Sequence, residues 1–195
     1  MARSYTLKKR AEQQSDTRRR IVEAAVALHG EIGPALTSLS SVAARAGVQR
    51  NTLYAHFPDD RSLFMACSAL ALERDPLPDA APWRRIKDRG ERLHAGIAAV
   101  HAWYERNADL AGCVLRDAQF HDLTREIAAL RFGPSFAAYM TVLGAGLSAT
   151  QRALLALALD YFAWRSLVRD SSLAPDRAVR TLVQAIEGAK PPPRP

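Results

Sequence analysis

One stretch, residues 37–57 (TSLSSVAARAGVQRNTLYAHF), constrains the fold more than the rest of the chain. It holds two short segments with helical apolar spacing, separated at Gly47, which can take the positive φ that a tight turn needs. Val42, Ala43 and Leu53 fall where two crossing helices must touch, and Ala43 is small enough for a close approach. The pattern predicts two short helices joined by a tight turn.

The second of these helices keeps a polar face once its apolar positions are assigned to the core. A helix with such a face fits the major groove of DNA and carries side chains that address base edges and phosphates. Arg50 is the best candidate for reading a base, because Arg pairs bidentately with guanine, although it is equally able to grip a phosphate. The face consists of Gln49, Arg50, Asn51, Thr52, Tyr54 and His56.

Helical periodicity dominates the whole chain, and strand signals are nearly absent. Thr37 is predicted to cap the second helix, and Asp59 suits the start of the fourth. Gly33-Pro34 is predicted to end the first helix, and Gly133-Pro134 to kink or divide the seventh. The sequence therefore predicts an all-α fold of about nine helices, at about 16–32, 37–46, 49–56, 59–74, 84–106, 108–118, 122–147, 150–171 and 175–188.

The charge of the chain favours an acidic partner. The formal net charge is +7, with a pI near 9.9. Residues 1–20 carry seven basic side chains against Glu12 and Asp16, namely Arg3, Lys8, Lys9, Arg10, Arg18, Arg19 and Arg20. Such a stretch is often only a solvated tail, but beside a DNA-reading element it attracts phosphates and makes binding salt-dependent.

Proline content marks the expected domain boundaries. Residues 75–83 (DPLPDAAPW) contain three prolines in nine positions, and the chain ends in KPPPRP. Such stretches break helices, so the first is predicted to be a boundary or long connection and the second to be extended and disordered. The expected division is a basic flexible arm at 1–15, a helix-turn-helix domain at 16–64, a helical domain at 65–188 and a Pro-rich tail at 189–195.

The sequence gives no sign of export or of a membrane span. Cys67 and Cys113 are its only cysteines and form no CxxC pair, so a disulfide framework is not expected. No apolar run reaches about 18 residues without a charge or a break, and the basic start lacks the apolar region of a secretory signal. We therefore expect a cytoplasmic protein with no membrane partner.

Five features of this region occur at a characteristic spacing. They are the helix ending in Gly33, the Ala-Gly-Val turn, the Leu-Tyr pair, Phe57, and a basic residue four positions beyond Phe57 and before Leu63. With this spacing, residues 18–64 resemble the TetR family of bacterial transcriptional repressors. The resemblance implies an N-terminal three-helix helix-turn-helix DNA-binding domain, followed by a C-terminal helical domain for ligand sensing and dimerisation.

The resemblance also implies which side chains meet DNA. A Lys at the position of Arg61 commonly holds a phosphate, and the Arg found here keeps the charge and gains a fork of donors. Asn51 replaces a frequent glycine, so the contacts of this helix are expected to differ from the usual ones. The other positions that commonly face DNA match Thr37, Ser38, Gln49, Arg50, Thr52, Tyr54 and His56.

The helices predicted at 150–171 and 175–188 carry more apolar positions than one buried stripe needs. In the resembled family such a pair forms a four-helix dimer interface, and burial within one protomer is the alternative. The candidate contacts are Leu155, Phe162, Val179 and Ile186.

The middle helices offer a mostly apolar wall with scattered polar groups, which suits a small-molecule pocket and equally a plain core. The candidate lining residues are His94, Ile97, His101, Tyr104, Phe120, Phe136, Tyr139 and Met140. No HxxxH or CxxC spacing anchors a metal site, so neither a metal nor a cofactor is expected.

The leading prediction is a repressor that binds a palindromic double-stranded operator as a homodimer and is released by an unknown small-molecule effector. An activator or a non-sensing DNA binder of the same fold is the alternative. An all-α enzyme or small-molecule carrier without a DNA role is a further one. The chain has no GxSxG, HExxH, phosphate-cradling glycine loop or EF-hand pattern, so no enzymatic activity is predicted.

Overall fold

The computed structural model describes residues 2–189, with side chains from Lys9 onward. All regular elements in this range are helical, which confirms the all-α prediction. None of these helices is long and apolar enough to cross a membrane. The α-helices are α1 (Ala2–Glu31), α2 (Leu39–Ala46), α3 (Arg50–His56), α4 (Asp60–Arg74), α5 (Arg89–Arg106), α6 (Ala108–Asp117), α7 (Asp122–Leu143), α8 (Ala149–Ala158), α9 (Tyr161–Trp164) and α10 (Pro175–Gly188).

The chain forms two compact units that do not follow its order. The first unit contains the residues up to Pro76 together with Asp109–Ala129, and the second contains Leu77–Ala108 together with the residues from Leu130 onward. The first unit therefore holds α1 to α4, nearly all of α6 and the start of α7. The second holds α5, the rest of α7 and α8 to α10.

The core of the first unit is formed by apolar side chains from each of its first four helices. Its members are shielded almost completely from water, and burying each large aliphatic side chain stabilises the fold by about 1.5–3 kcal/mol. They include Ile21 and Ala25 of α1, Val42 of α2, Leu53 of α3 and Leu63 of α4.

The first helix is longer than the sequence predicted. It begins at Ala2 rather than near Asp16, so the stretch expected to be a flexible arm is helical. The physical reason is that no proline or glycine interrupts residues 2–29, and Leu, Lys, Arg, Ala, Glu and Gln, which favour helices, fill most of residues 7–14. The predicted extended tail KPPPRP lies outside the described residues.

The cap of α2 is Ser38 rather than Thr37, so the Thr37 prediction was wrong. The Ser38 side chain accepts the N–H of Ser41, and the Ser41 side chain accepts the N–H of Ser38, which forms a capping box. Thr37 instead ends a short 3₁₀ turn, Pro34–Leu36, and its hydroxyl donates to the carbonyl of Gly33 at 2.8 Å.

Two further helix predictions need correction. The helix expected at 150–171 is interrupted, because Asp160 accepts the N–H groups of Phe162 and Ala163 and so starts a new helix, which continues into the π-helical turn Arg165–Asp170. The helix expected at 122–147 is not divided at Gly133-Pro134, since α7 continues through Pro134.

Buried aromatic side chains contact one another within the largely aliphatic core of the second unit. The Tyr104 hydroxyl donates to the carbonyl of Leu159 at 2.8 Å, and the Tyr139 hydroxyl donates to the carbonyl of Pro78 at 2.6 Å. The ring of Tyr104 meets that of Trp164 with centroids 5.7 Å apart. Burial raises the pKa of both phenols, that of Tyr139 to about 12. These tyrosines therefore stay neutral and serve as hydrogen-bond donors.

Candidate nucleic-acid interface

The turn between α2 and α3 has the geometry that the sequence predicted. Gly47 adopts φ 65° and ψ 39°, the left-handed conformation that ends α2, and the N–H of Val48 donates to the carbonyl of Ala43 at 3.0 Å. Leu53 is fully buried and fixes the inner face of α3. The outer face of α3 is therefore held rigidly by the core of the first unit.

The predicted polar face of α3 reaches solvent. Tyr54 is 41% exposed, so its ring does not belong to the core. Gln49, Arg50 and Asn51 are exposed as well, whereas Thr52 and His56 are half-buried. The structure thus brings the six predicted side chains together on one short helix and its cap, with donors and acceptors available to a nucleic acid.

The start of α2 contributes the two predicted phosphate-binding hydroxyls. Ser38 is exposed and Thr37 is half-buried. Helix N-termini attract anions because their first N–H groups lack partners within the helix. The hydroxyl hydrogen of Thr37 is already given to Gly33, so Thr37 is held in place by the turn that precedes it.

Arg61 lies in the first turn of α4 and is half exposed. Its Nη1 donates to Oε1 of Glu126 on α7, within the first unit, and this contact raises the pKa of the guanidinium. A DNA phosphate approaching Arg61 must compete with the Glu126 carboxylate. This pairing could not be predicted from short-range sequence patterns, because the two residues are 65 positions apart.

The helical extension of α1 adds a groove next to α3. The groove is open to solvent and has a volume of about 860 Å³. Among its residues on the α1 side, Arg10, Gln13 and Gln14 were predicted to lie in a flexible arm, whereas those from Asp16 onward were predicted to lie in the first helix. The helix-forming composition of residues 7–14 was the signal that the arm is helical too. The lining residues are Arg10, Gln13, Gln14, Asp16, Thr17, Arg19 and Arg20 of α1, with Asn51, Thr52, Ala55 and His56 of α3.

The candidate pocket residues do not share one environment. Phe120 belongs to the first unit and is 66% exposed, whereas the other seven belong to the second unit. His101 is buried, with Nε2 2.8 Å from the carbonyl of Ala158, while its Nδ1 has no hydrogen-bond partner among the described residues. Ile97, Tyr104 and Tyr139 are buried, and His94, Phe136 and Met140 are half-buried.

Three of the four candidate dimer contacts are already covered within one protomer. Leu155, Val179 and Ile186 are at most 2% exposed, because α10 packs on α5 and α8. Phe162 is 36% exposed, and Leu157, which the sequence had not singled out for this role, is 53% exposed. The apolar surface available on these helices therefore lies at Leu157 and Phe162.

No group of three or more His, Cys, Asp or Glu side chains within the described range is arranged to hold a metal ion. Neither Cys67 nor Cys113 forms a disulfide bond.

A capped helix, a left-handed glycine turn and a second helix with an exposed polar face define a helix-turn-helix DNA-binding protein. The model of the family described as "Bacterial regulatory proteins, tetR family" matches residues 21–67. Residues 21–67 thus match this family's model, and the resemblance found in the sequence over residues 18–64 is confirmed.

Solved structures share the fold over most of the chain. A TetR-family transcriptional regulator from Streptomyces coelicolor is 17% identical with a TM-score of 0.58, covering 89% of this chain and 80% of its own. The regulator FadR from Bacillus subtilis, in complex with stearoyl-CoA, is 16% identical with a TM-score of 0.61, covering 86% and 96%. The multidrug binding protein EbrR, complexed with imidazole, is 24% identical with a TM-score of 0.59, covering 90% and 92%. Comparison with curated proteins found no match.

Proposed function

We propose that this chain is a cytoplasmic transcriptional repressor that binds a palindromic operator as a homodimer and is released by a small molecule. The observation that carries the proposal is the exposed polar face of α3, held against the capped start of α2 and beside the basic groove of α1. In this proposal Gln49, Arg50, Asn51, Thr52, Tyr54 and His56 enter the major groove, with Thr37, Ser38 and Arg61 on phosphates.

The proposal of a dimer rests on the small size of the DNA-reading element, helix α3. One α3 helix covers one half-site, and a single half-site is too small for tight and specific binding. Two protomers therefore place their α3 helices about 34–36 Å apart on a pseudo-palindrome. The exposed apolar side chains of Leu157 and Phe162 support a pairing surface at α8 and α9. The sequence-based division assigns DNA reading to residues 16–64 and sensing with dimerisation to residues 65–188.

Ligand sensing is supported by the second unit and by two relatives in fold. In this proposal the Nδ1 of buried His101, which has no hydrogen-bond partner among the described residues, meets the bound molecule, and the His101 ring lies beside that of Tyr104. FadR is seen with stearoyl-CoA and EbrR with imidazole, so a fold of this kind accommodates small molecules in those proteins. An effector releases DNA only if it prefers the DNA-incompetent state by its own differential affinity.

The test is DNA binding measured by fluorescence anisotropy, using the region upstream of the chain's own gene, at several salt concentrations. We expect salt-sensitive binding, and Arg50→Ala should weaken operator binding by about 1–3 kcal/mol if Arg50 reads a base. Arg177→Ala, which removes one exposed charge from α10 in the second unit, is the matched control and should leave operator binding unchanged. Binding to no DNA at any salt concentration would overturn the proposal.

Ligand release is tested separately. Compounds processed by the products of neighbouring genes are screened for a rise in melting temperature, because a ligand that binds only the folded state stabilises it. A hit should also lower DNA affinity. A compound that stabilises the protein without weakening the DNA complex would contradict release by that compound, and in vitro transcription then separates a repressor from an activator.

A further inference from the structure

The carboxylate of Asp117 is fully buried at the end of α6. Its Oδ2 accepts the backbone N–H of Ala35 at 2.9 Å, across 82 positions of sequence. Both residues belong to the first unit. A buried carboxylate is stable only where charges or hydrogen bonds satisfy it, so this contact is a specific feature of the fold rather than a surface accident.

Arg116 completes the arrangement. Its Nε donates to Oδ1 of Asp117 at 2.8 Å, and its Nη2 donates to the carbonyl of Ile32 at 3.1 Å. The two neighbouring residues thus hold both ends of the turn between α1 and α2, one at the carbonyl of Ile32 and the other at the N–H of Ala35. We call this pair, Arg116 and Asp117, the turn clamp.

The turn fits the clamp with no spare room. Gly33 has φ 97°, and a Cβ added there would lie 2.3 Å from Nη2 of Arg116 and 2.3 Å from Oδ2 of Asp117. Leu36, the last residue of the turn, is 71% exposed and buries little apolar surface. Pro34 is the buried residue of the turn, so its burial and the directional hydrogen bonds together fix this turn.

The clamped turn leads directly into the predicted phosphate-binding residues. The N–H of Thr37 donates to the carbonyl of Pro34 at 3.2 Å, and its hydroxyl donates to the carbonyl of Gly33. Ser38 follows as the cap of α2. The position of the turn consequently sets the position of both hydroxyls and of the helix N-terminus behind them.

We propose that the turn clamp is a positioning device for DNA binding, through which α6 holds Thr37 and Ser38 in place for the phosphates. The inference rests on the proposed DNA-binding function and assigns no DNA contact to Asp117 itself. Any shift of α6 relative to α1 is passed to the start of α2 by two side chains, without passing through α3.

The experiment compares the full-length wild-type protein with Asp117→Ala and Arg116→Gln. Amide exchange by NMR should show faster exchange of the Ala35 N–H in Asp117→Ala, because its acceptor is lost. Operator affinity should fall about tenfold, since hydrogen bonds to charged phosphates are among the stronger ones. The salt dependence should stay unchanged, because the contacts that are lost come from neutral hydroxyls and backbone groups.

Two controls separate positioning from general destabilisation. Val22→Ala removes buried volume from the same core and should lower the melting temperature while leaving operator affinity unchanged at a temperature where the protein is folded. In a double-mutant cycle, Asp117→Ala combined with Thr37→Val should lose less affinity than the sum of the single changes, because both changes loosen the same turn before α2, where the Thr37 hydroxyl donates to the carbonyl of Gly33.

The outcomes are distinct. If Asp117→Ala does not fold, Arg116→Gln carries the test, because the Arg116 side chain is half exposed and Asp117 still accepts the N–H of Ala35 in that variant. Wild-type operator affinity retained in Arg116→Gln and in a folded Asp117→Ala would overturn the inference, as would full additivity in the cycle. Failure of the wild-type protein to bind DNA would instead overturn the proposed function.

Discussion

The Sγ of Cys67 lies 3.5 Å from Nδ1 of His29, and both side chains are buried in the core of the first unit. Burial lowers the pKa of His29 to about 4, with a smaller opposing effect from the Asp117 carboxylate. The imidazole is therefore neutral at pH 7 and gives no positive charge to stabilise a thiolate. The two side chains therefore form a contact within the core, and the buried imidazole of His29 makes the stability of the fold depend on pH.

Stability should fall as the pH drops from about 6.5 towards about 4. Across this window the unfolded chain takes up a proton on His29 that the folded state does not, so acid favours unfolding. The expected loss between pH 7 and pH 5 is about 2 kcal/mol, measured by urea unfolding. Burial also lowers the pKa of His101, which adds a loss of the same sign.

His29→Phe isolates the contribution of His29. The aromatic ring keeps the packing against Phe64, whose ring centroid is 4.8 Å from that of His29, while the titrating group is gone. The difference in stability between pH 7 and pH 5 should shrink by about 2 kcal/mol in this variant, whatever its absolute stability. An undiminished difference would show that His29 does not titrate as its burial requires.

Gly33→Ala should be more destabilising than Gly47→Ala. Both glycines have positive φ, which disfavours any residue with a Cβ. Gly47 is in the left-handed region, where the strain costs about 1 kcal/mol, whereas Gly33, at φ 97° and ψ 155°, lies in a region used almost only by glycine, where the strain costs about 1–3 kcal/mol. The Cβ at Gly47 meets nothing within 4 Å, whereas at Gly33 it collides with the turn clamp. Thermal unfolding of the two variants should therefore give clearly different melting temperatures, and equal losses would contradict the tight fit.

Glu126→Gln should strengthen DNA binding. Without the carboxylate, Arg61 is available to a phosphate, so affinity should rise about threefold, as expected for an exposed ion pair. The slope of log affinity against log salt should also steepen by about one.

Glu23→Gln is the matched control for Glu126→Gln. It removes the same charge from the first unit, but its partner Arg74 lies at the other end of α4, away from the proposed interface. Equal strengthening in both variants would mean that net charge, rather than competition for Arg61, causes the effect. In an Arg61→Ala background, Glu126→Gln should have no effect.

Leu157→Glu should weaken the proposed dimer. A charge at this exposed position of α8 would have to be buried on pairing, so the mass at micromolar concentration, measured by light scattering, should shift to that of the monomer. Leu130→Glu places the same charge at a position that is 50% exposed on α7 and serves as the control. A dimer that survives Leu157→Glu would place the interface elsewhere.

Local chemistry allowed much of the fold to be predicted from the sequence. Gly47 revealed its turn because few other residues adopt that conformation, and Asp59 marked the start of α4, where its carboxylate accepts the N–H of Ser62 at 2.7 Å. The family resemblance rested on the same kind of short-range spacing. The polar face of α3 was predictable because the helical period alone separates Leu53 from its exposed neighbours.

The errors arose where two local options compete or where distant residues meet. Thr37 and Ser38 are both good caps, and only the capping box with Ser41 decides between them. Asp160 interrupts an apolar helix that periodicity alone would continue. The pairing of Arg61 with Glu126 depends on the tertiary fold, for which the sequence pattern carries no short-range signal.

The DNA-reading unit is built from two separate stretches of chain, and this limits how the protein can be engineered. A fragment cut after Pro76 keeps α1 to α4 but lacks α6, and with it the partner of the Ala35 N–H and the Cys113 thiol that donates to the carbonyl of Gly30. Such a fragment is expected to bind the operator weakly even if it folds. A hybrid regulator made by joining residues 1–76 of this chain to the helical domain of another protein should therefore fail to bind the operator. A hybrid that also carries residues 109–129 of this chain should bind it.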